Sequence, residues 1–96
     1  SNRPSLERLV ACAAETTSLS PAEVLGSDKR DRCAEVRRAV VWLATKRFGY
    51  RGVEVGRALQ RTQPAISQML ARALGDSGGT WRSLAEKIIE NLYVRL

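Results

Sequence analysis

The chain reads as a small all-α domain, and three patterns lead there. Apolar residues recur at i, i+3, i+4 and i+7 in one segment after another, helix-capping residues stand at the segment boundaries, and no stretch alternates apolar and polar residues as a half-buried strand does. The 96 residues carry 44% hydrophobic and 27% charged side chains, which is ordinary usage for one folded unit with a single core. Ser1-Asn2 has the form of a remnant left by tag cleavage, so residues 3–96 are taken as one domain, with room for a longer parent protein.

About six helices are expected. From Ser5, the residues Leu6, Leu9, Val10, Ala13 and Thr17 form the stripe of a first amphipathic helix. Ser20-Pro21-Ala22-Glu23 is a capping box with proline at the first helical position, and Gly26 ends the short second helix. Ser27 or Asp28 is expected to cap a third helix reaching Phe48, with Cys33, Val36, Val40, Leu43 and Ala44 on one face. Gly49 and Gly52 bracket a turn, a fourth helix covers about Val53 to Leu59, and Thr62 caps a fifth that reaches Leu74 before Gly75. After Asp76-Ser77-Gly78-Gly79, Thr80 is expected to cap a last helix that buries Leu84, Ile88, Ile89 and Leu92.

Two residues depart from the wheel of the third helix. Arg37 falls inside the apolar arc, where it calls for either a carboxylate such as Glu7 or Glu54 or a phosphate at the margin of a binding site. Trp42 falls on the polar side, where either the last helix covers it or it joins an exposed contact patch.

The composition argues against an enzyme. There is no histidine, no metal-ligand cluster and no Gly-rich phosphate loop, so the commonest acid-base, nucleophilic and cofactor-binding machinery is missing. Cys12 and Cys33 lack CxxC spacing and sit among alanines and valines, which reads as two buried thiols with a disulfide as the lesser alternative. No metal or cofactor is expected. With no stretch of about 20 apolar residues and no leader-like start, the expected location is the cytoplasm.

The net charge of +6 is unevenly placed. Residues 28–72 hold eleven cations against four acids, nine of the eleven being arginine, while the flanks are close to neutral. Arginine suits bidentate contact with phosphate and guanine. The basic stretch overlaps a compact helix pair, Gly52 to about Leu74, in which Val55, Leu59, Ile66 and Met69 can interlock and Gly56 allows close approach. That arrangement predicts a helix-turn-helix with Thr62, Gln63, Ser67, Gln68 and Arg72 on the outer side of its second helix, able to read base edges or hold phosphates. Arg61, at the turn, belongs to the same expected set. Double-stranded DNA is therefore the expected partner. The alternative is a protein-interaction module in which Trp42, Trp81 and Tyr93 form an apolar patch and the basic face is incidental. RNA is the weaker third reading, because only 5% of residues are aromatic and none stands beside the outer positions to stack bases.

The stretch Arg61-Thr62-Gln63-Pro64-Ala65-Ile66-Ser67 looks like the start of recognition helices in many bacterial helix-turn-helix regulators. Over nearly the whole chain, the order of elements and the runs Ala34-Glu35-Val36-Arg37-Arg38-Ala39-Val40-Val41-Trp42-Leu43-Ala44 and Val53-Glu54-Val55-Gly56 resemble the C-terminal DNA-binding domain of the replication initiator DnaA, which has a Trp-repressor-like helix-turn-helix. Such domains also resemble the C-terminal extensions of REP-associated tyrosine transposases, whose catalytic residues would lie upstream of this chain. The resemblance implies that Lys29, Arg30 and Arg32 form a basic loop near phosphates or the minor groove. It further implies that Arg37 supports backbone contact and that the helix beginning at Thr62 enters the major groove. Where the DnaA family carries paired glycines and an Arg-Asp-His-Thr-Thr signature, this chain has the one-residue-shorter Gln60-Arg61-Thr62-Gln63-Pro64-Ala65, which implies a different DNA site.

Overall fold

The computed structural model describes residues 3–26, 31–75 and 79–94. They form α1 (Leu6–Thr17), α2 (Pro21–Leu25), α3 (Asp31–Trp42), α4 (Gly52–Leu59), α5 (Gln63–Gly75) and α6 (Thr80–Val94), with α3 continuing into a π-helical turn over Leu43–Arg47. The protein is all-α, with no strand among the described residues. No helix among these residues is long and apolar enough to cross a membrane.

The expected local signals for the first two helices are in place. Ser5 accepts from the Arg8 N–H at 3.1 Å to start α1. Both arms of the Ser20/Glu23 capping box form, at 3.1 and 2.9 Å, with Pro21 opening α2. Thr62 Oγ1 accepts from the Ala65 N–H at 3.3 Å, as the cap of α5 requires. The cap expected of Ser27 or Asp28 lies outside the described residues.

α3 is the hub. Cys33, Val36, Ala39, Val40, Val41, Leu43 and Ala44 are buried, because α3 packs chiefly against α6 and α5 and also touches α1 and α2. The expected α-helix to Phe48 instead widens in its last turn, where the Phe48 N–H bonds the Leu43 carbonyl five residues back at 2.9 Å. Thr45 lies within this turn. Its hydroxyl donates to the Val41 carbonyl at 2.8 Å, as those of Thr16 and Thr17 do to the carbonyls four residues back in α1. Gly49 then reverses the chain at φ 72°, a conformation glycine adopts without side-chain strain.

On α6 the buried stripe is Trp81, Ala85, Ile88 and Leu92, while Leu84 and Ile89 flank it half-buried. The expected stripe was thus rotated by part of a turn. Thr80, expected as a cap, lies inside the first turn and donates to Glu35 Oε2 at 2.7 Å. Glu35 also pairs with Arg38, so the start of α6 is tied to α3. Trp42 packs on Trp81 with ring centroids 5.7 Å apart. Trp81 itself is 1% exposed and belongs to the core, which removes it from the contact patch considered above.

The cysteines are free thiols, Cys33 buried and Cys12 half-buried. Cys12 Sγ faces the Ile88 carbonyl at 3.7 Å, and beside it Asn91 donates to Thr16 Oγ1 at 2.7 Å, so a short polar seam joins α1 to α6.

Candidate nucleic-acid interface

The helix pair begins with a close approach. α4 and α5 are joined by the three residues 60–62. The Arg61 N–H bonds the Gly56 carbonyl at 2.7 Å. A Cβ at Gly56 would stand 2.7 Å from the Arg61 oxygen and 3.5 Å from Ile66 Cγ1, so only glycine fits there. Gln60 closes α4 in the left-handed region at φ 59°, a conformation that costs a non-glycine residue about 1 kcal/mol. Val55, Leu59 and Ile66 fill the space between the helices and are all buried, and Met69 is half-buried against the core.

This packing fixes which side of α5 faces outward. At 3.6 residues per turn, Gln63, Pro64, Ser67, Gln68, Ala71, Arg72 and Leu74 spread over roughly 180° of the helix, and all of them are exposed. The middle of that arc is small, formed by Pro64, Ser67 and Ala71, with Gln63, Gln68 and Arg72 around it. Such a profile lets a helix come close to a concave surface while longer polar side chains reach past it. The side chains of Gln63, Ser67, Gln68 and Arg72 make no hydrogen bond or ion pair among the described residues. Thr62 is exposed too, with its hydroxyl oxygen engaged in the cap.

Gln63 also brings two helix starts together. Its Cγ lies 3.6 Å from the position a Cβ on Gly52 would take, so the amino-terminal turns of α4 and α5 adjoin, with exposed Arg51 preceding the first. Both turns present the positive ends of their dipoles. Arg51 was not singled out from the sequence. Its signal was position, the last residue before a helix start, rather than residue type. Lys46, Arg47 and Arg57 are likewise exposed cations with no carboxylate partner among the described residues.

The expected basic set divides once its partners are known. Lys29 and Arg30 lie outside the described residues. Arg32 is exposed but donates through one guanidinium nitrogen to the Thr17 carbonyl at 2.7 Å, at the end of α1. Arg37 is withdrawn from the surface. It is 5% exposed, with Nε on the Val24 carbonyl and Nη2 on the Glu23 carbonyl, each at 2.8 Å. Arg37 thus faces inward and is held by backbone carbonyls rather than turned out toward a phosphate, and neither Glu7 nor Glu54 is its partner.

Arg61 is likewise engaged within the protein. Its Nη1 donates to the carbonyls of Leu25 at 3.0 Å and Leu59 at 2.9 Å, and its Nη2 to that of Gly26. Arg37 and Arg61 together therefore satisfy the carbonyls of residues 23 to 26, and the Gly26 N–H takes that of Ala22. A five-residue helix leaves most of its carbonyls without internal partners, and cations favour that end. Burial, and then the like charge of Arg37, push the Arg61 guanidinium below its usual pKa, yet arginine remains protonated at neutral pH. These bonds lock the α4–α5 turn against α2.

Among the described residues, no three His, Cys, Asp or Glu side chains stand together as a metal site would need. No protein-family model, curated protein or solved structure matches the chain.

Proposed function

We propose that this chain binds double-stranded DNA through a helix-turn-helix formed by α4 and α5, with α5 seated in the major groove. The observation that carries the reading is the outer arc of α5, where Gln63, Ser67, Gln68 and Arg72 are exposed, with no side-chain hydrogen bond among the described residues, around a centre of small residues. Glutamine can hydrogen-bond adenine bidentately and arginine guanine, so this set has the chemistry of base readout. Phosphates would be held by Arg51 and the adjoining starts of α4 and α5, by Arg32 through its remaining guanidinium edge, and by Lys29 and Arg30. Arg37 and Arg61 act from behind, holding α2 and the turn in register. The same reading makes the chain a non-catalytic, cytoplasmic part of a transposase-related or replication-initiator-like parent.

The protein-interaction reading built on Trp42, Trp81 and Tyr93 has less behind it, since Trp81 is buried. A titration of random-sequence duplex at several salt concentrations tests the proposal. With about 4–6 phosphates engaged, log affinity should fall against log salt with a slope of roughly −4 to −5, and a slope near zero would refute it.

A further inference from the structure

The residues numbered 48–51 join the π turn to α4 outside any regular helix. Gly49 stands among them at φ 72°, and a Cβ built there would meet nothing within 4 Å, so no steric wall fixes the joint. Hydrogen bonds hold it instead. The Tyr50 N–H bonds the Ala44 carbonyl at 2.9 Å, which folds the segment back on the π turn. From the other side come Arg3 and Pro4, just ahead of α1. Arg3 Nη1 donates to the Phe48 carbonyl at 3.1 Å, and the Tyr50 hydroxyl donates to the Pro4 carbonyl at 2.6 Å. The Arg3 guanidinium lies 3.7 Å from the centre of the Tyr50 ring, which is a cation–π contact.

The two hydrogen bonds span 45 and 46 positions of sequence and are reciprocal, since Arg3 holds the Phe48 carbonyl while Tyr50 holds that of Pro4. Ser5 caps α1 directly behind them, and α1 packs on α6 and α3, so this clamp ties the joint to the core. It leaves the Arg51 side chain free. Arg51 is exposed, gives α4 no side-chain cap, and makes no side-chain hydrogen bond or ion pair among the described residues. Its carbonyl accepts the Val55 N–H at 3.0 Å, at the start of α4. The backbone of Arg51 is therefore fixed from one side by Tyr50 and from the other by α4, while its guanidinium is available to an outside anion.

We propose that Tyr50, clamped by Arg3 and Pro4, is a positioning residue that presents Arg51 to a DNA phosphate. The inference rests on the DNA reading above and adds to it a residue that carries no charge of its own. An arginine displayed on a fixed backbone loses less freedom on meeting a phosphate than one on a loose joint, and the difference appears as affinity. Because the phosphate contact is made by Arg51, Tyr50 influences duplex binding only while Arg51 is present.

The test is a double-mutant cycle of Tyr50→Phe and Arg51→Ala on random-sequence duplex at several salt concentrations, with amide exchange of the free chain measured alongside. Tyr50→Phe keeps the ring beside Arg3 and removes the bond to Pro4. It should weaken duplex binding about three-fold and speed exchange at the amides of residues 50 and 55 by a similar factor. Arg51→Ala should flatten the salt slope by about one unit, and in that background Tyr50→Phe should weaken binding no further. Full additivity of the two substitutions would overturn the proposal, as would unchanged exchange at residues 50 and 55. Should Tyr50→Phe not fold, Arg3→Ala, at an exposed position, should speed the same two amides and Arg3→Lys should restore part of their protection; no change from Arg3→Ala would equally overturn it. A parent chain that binds no duplex refutes the DNA reading itself, whereas a parent that binds and an additive cycle refute only the role of Tyr50.

Discussion

Replacing Arg61 with alanine removes three hydrogen bonds at once, to the carbonyls of Leu25, Gly26 and Leu59. A hydrogen bond to a charged group contributes about 1.5–3 kcal/mol net when buried. The Arg61 bonds are only partly buried, so water can reach the freed carbonyls and each bond counts toward the low end of that range. The loss is offset further because alanine relieves the repulsion from Arg37 and the desolvation of the guanidinium. The balance is a destabilisation of about 2–3 kcal/mol, which for a domain of this size lowers Tm by roughly 10–20 °C. Arg61→Lys keeps the charge but presents one point donor group where a planar fork spans α2 and the end of α4, so it should recover less than half of the loss. Thermal and urea unfolding followed by circular dichroism measures all three proteins. If Arg61→Ala unfolds within about 0.5 kcal/mol of the parent while duplex affinity falls, Arg61 is a DNA contact and the locking role is refuted.

Other perturbations follow from the same geometry. Arg37→Met should cost about 2–4 kcal/mol in urea unfolding, because the Glu23 and Val24 carbonyls lose a buried donor; a stable variant with weakened duplex binding would return Arg37 to the contact set. Gly56→Ala should destabilise by at least about 2 kcal/mol, since the new methyl meets the Arg61 oxygen at 2.7 Å; a neutral result would show that the turn relaxes freely. Replacing Cys12 and Cys33 together by alanine should leave a folded protein whose Tm does not depend on reductant, as expected of free thiols. Arg30→Ala with Arg32→Ala should weaken preferred and random duplexes alike and flatten the salt slope by about 1–2 units, which titrations on both duplexes would read.

Local pattern made some parts of this molecule legible. The stripe Leu9, Val10, Ala13 and Thr17, the Ser20/Glu23 capping box and the exposure of Gln63, Ser67, Gln68 and Arg72 depend on residues within a turn or two of each other, and helical periodicity locates them. Arg37 was visible as an anomaly in an apolar arc, but the Glu23 and Val24 carbonyls that it bonds are backbone groups that carry no residue-type signature. Arg61 was harder. Its bonds to Leu25 and Gly26 span 36 and 35 residues, so nothing local separates it from the arginines that face solvent. Trp81 entered the alternative contact patch because its burial rests on the packing of α6 on α3, which no local pattern reveals. The π turn at Leu43–Arg47 has no counterpart in residue preferences.

The central claim is that the outer face of α5 reads duplex DNA, and selection of bound duplexes from a random pool by the parent chain and by Gln63→Ala tests it most directly. The account predicts a defined enriched site for the parent. For Gln63→Ala it predicts relaxed base choice at one position, an affinity cost of about 1–3 kcal/mol on that site, and little change on random duplex. No enrichment by the parent, or an identical profile from both proteins, would contradict it.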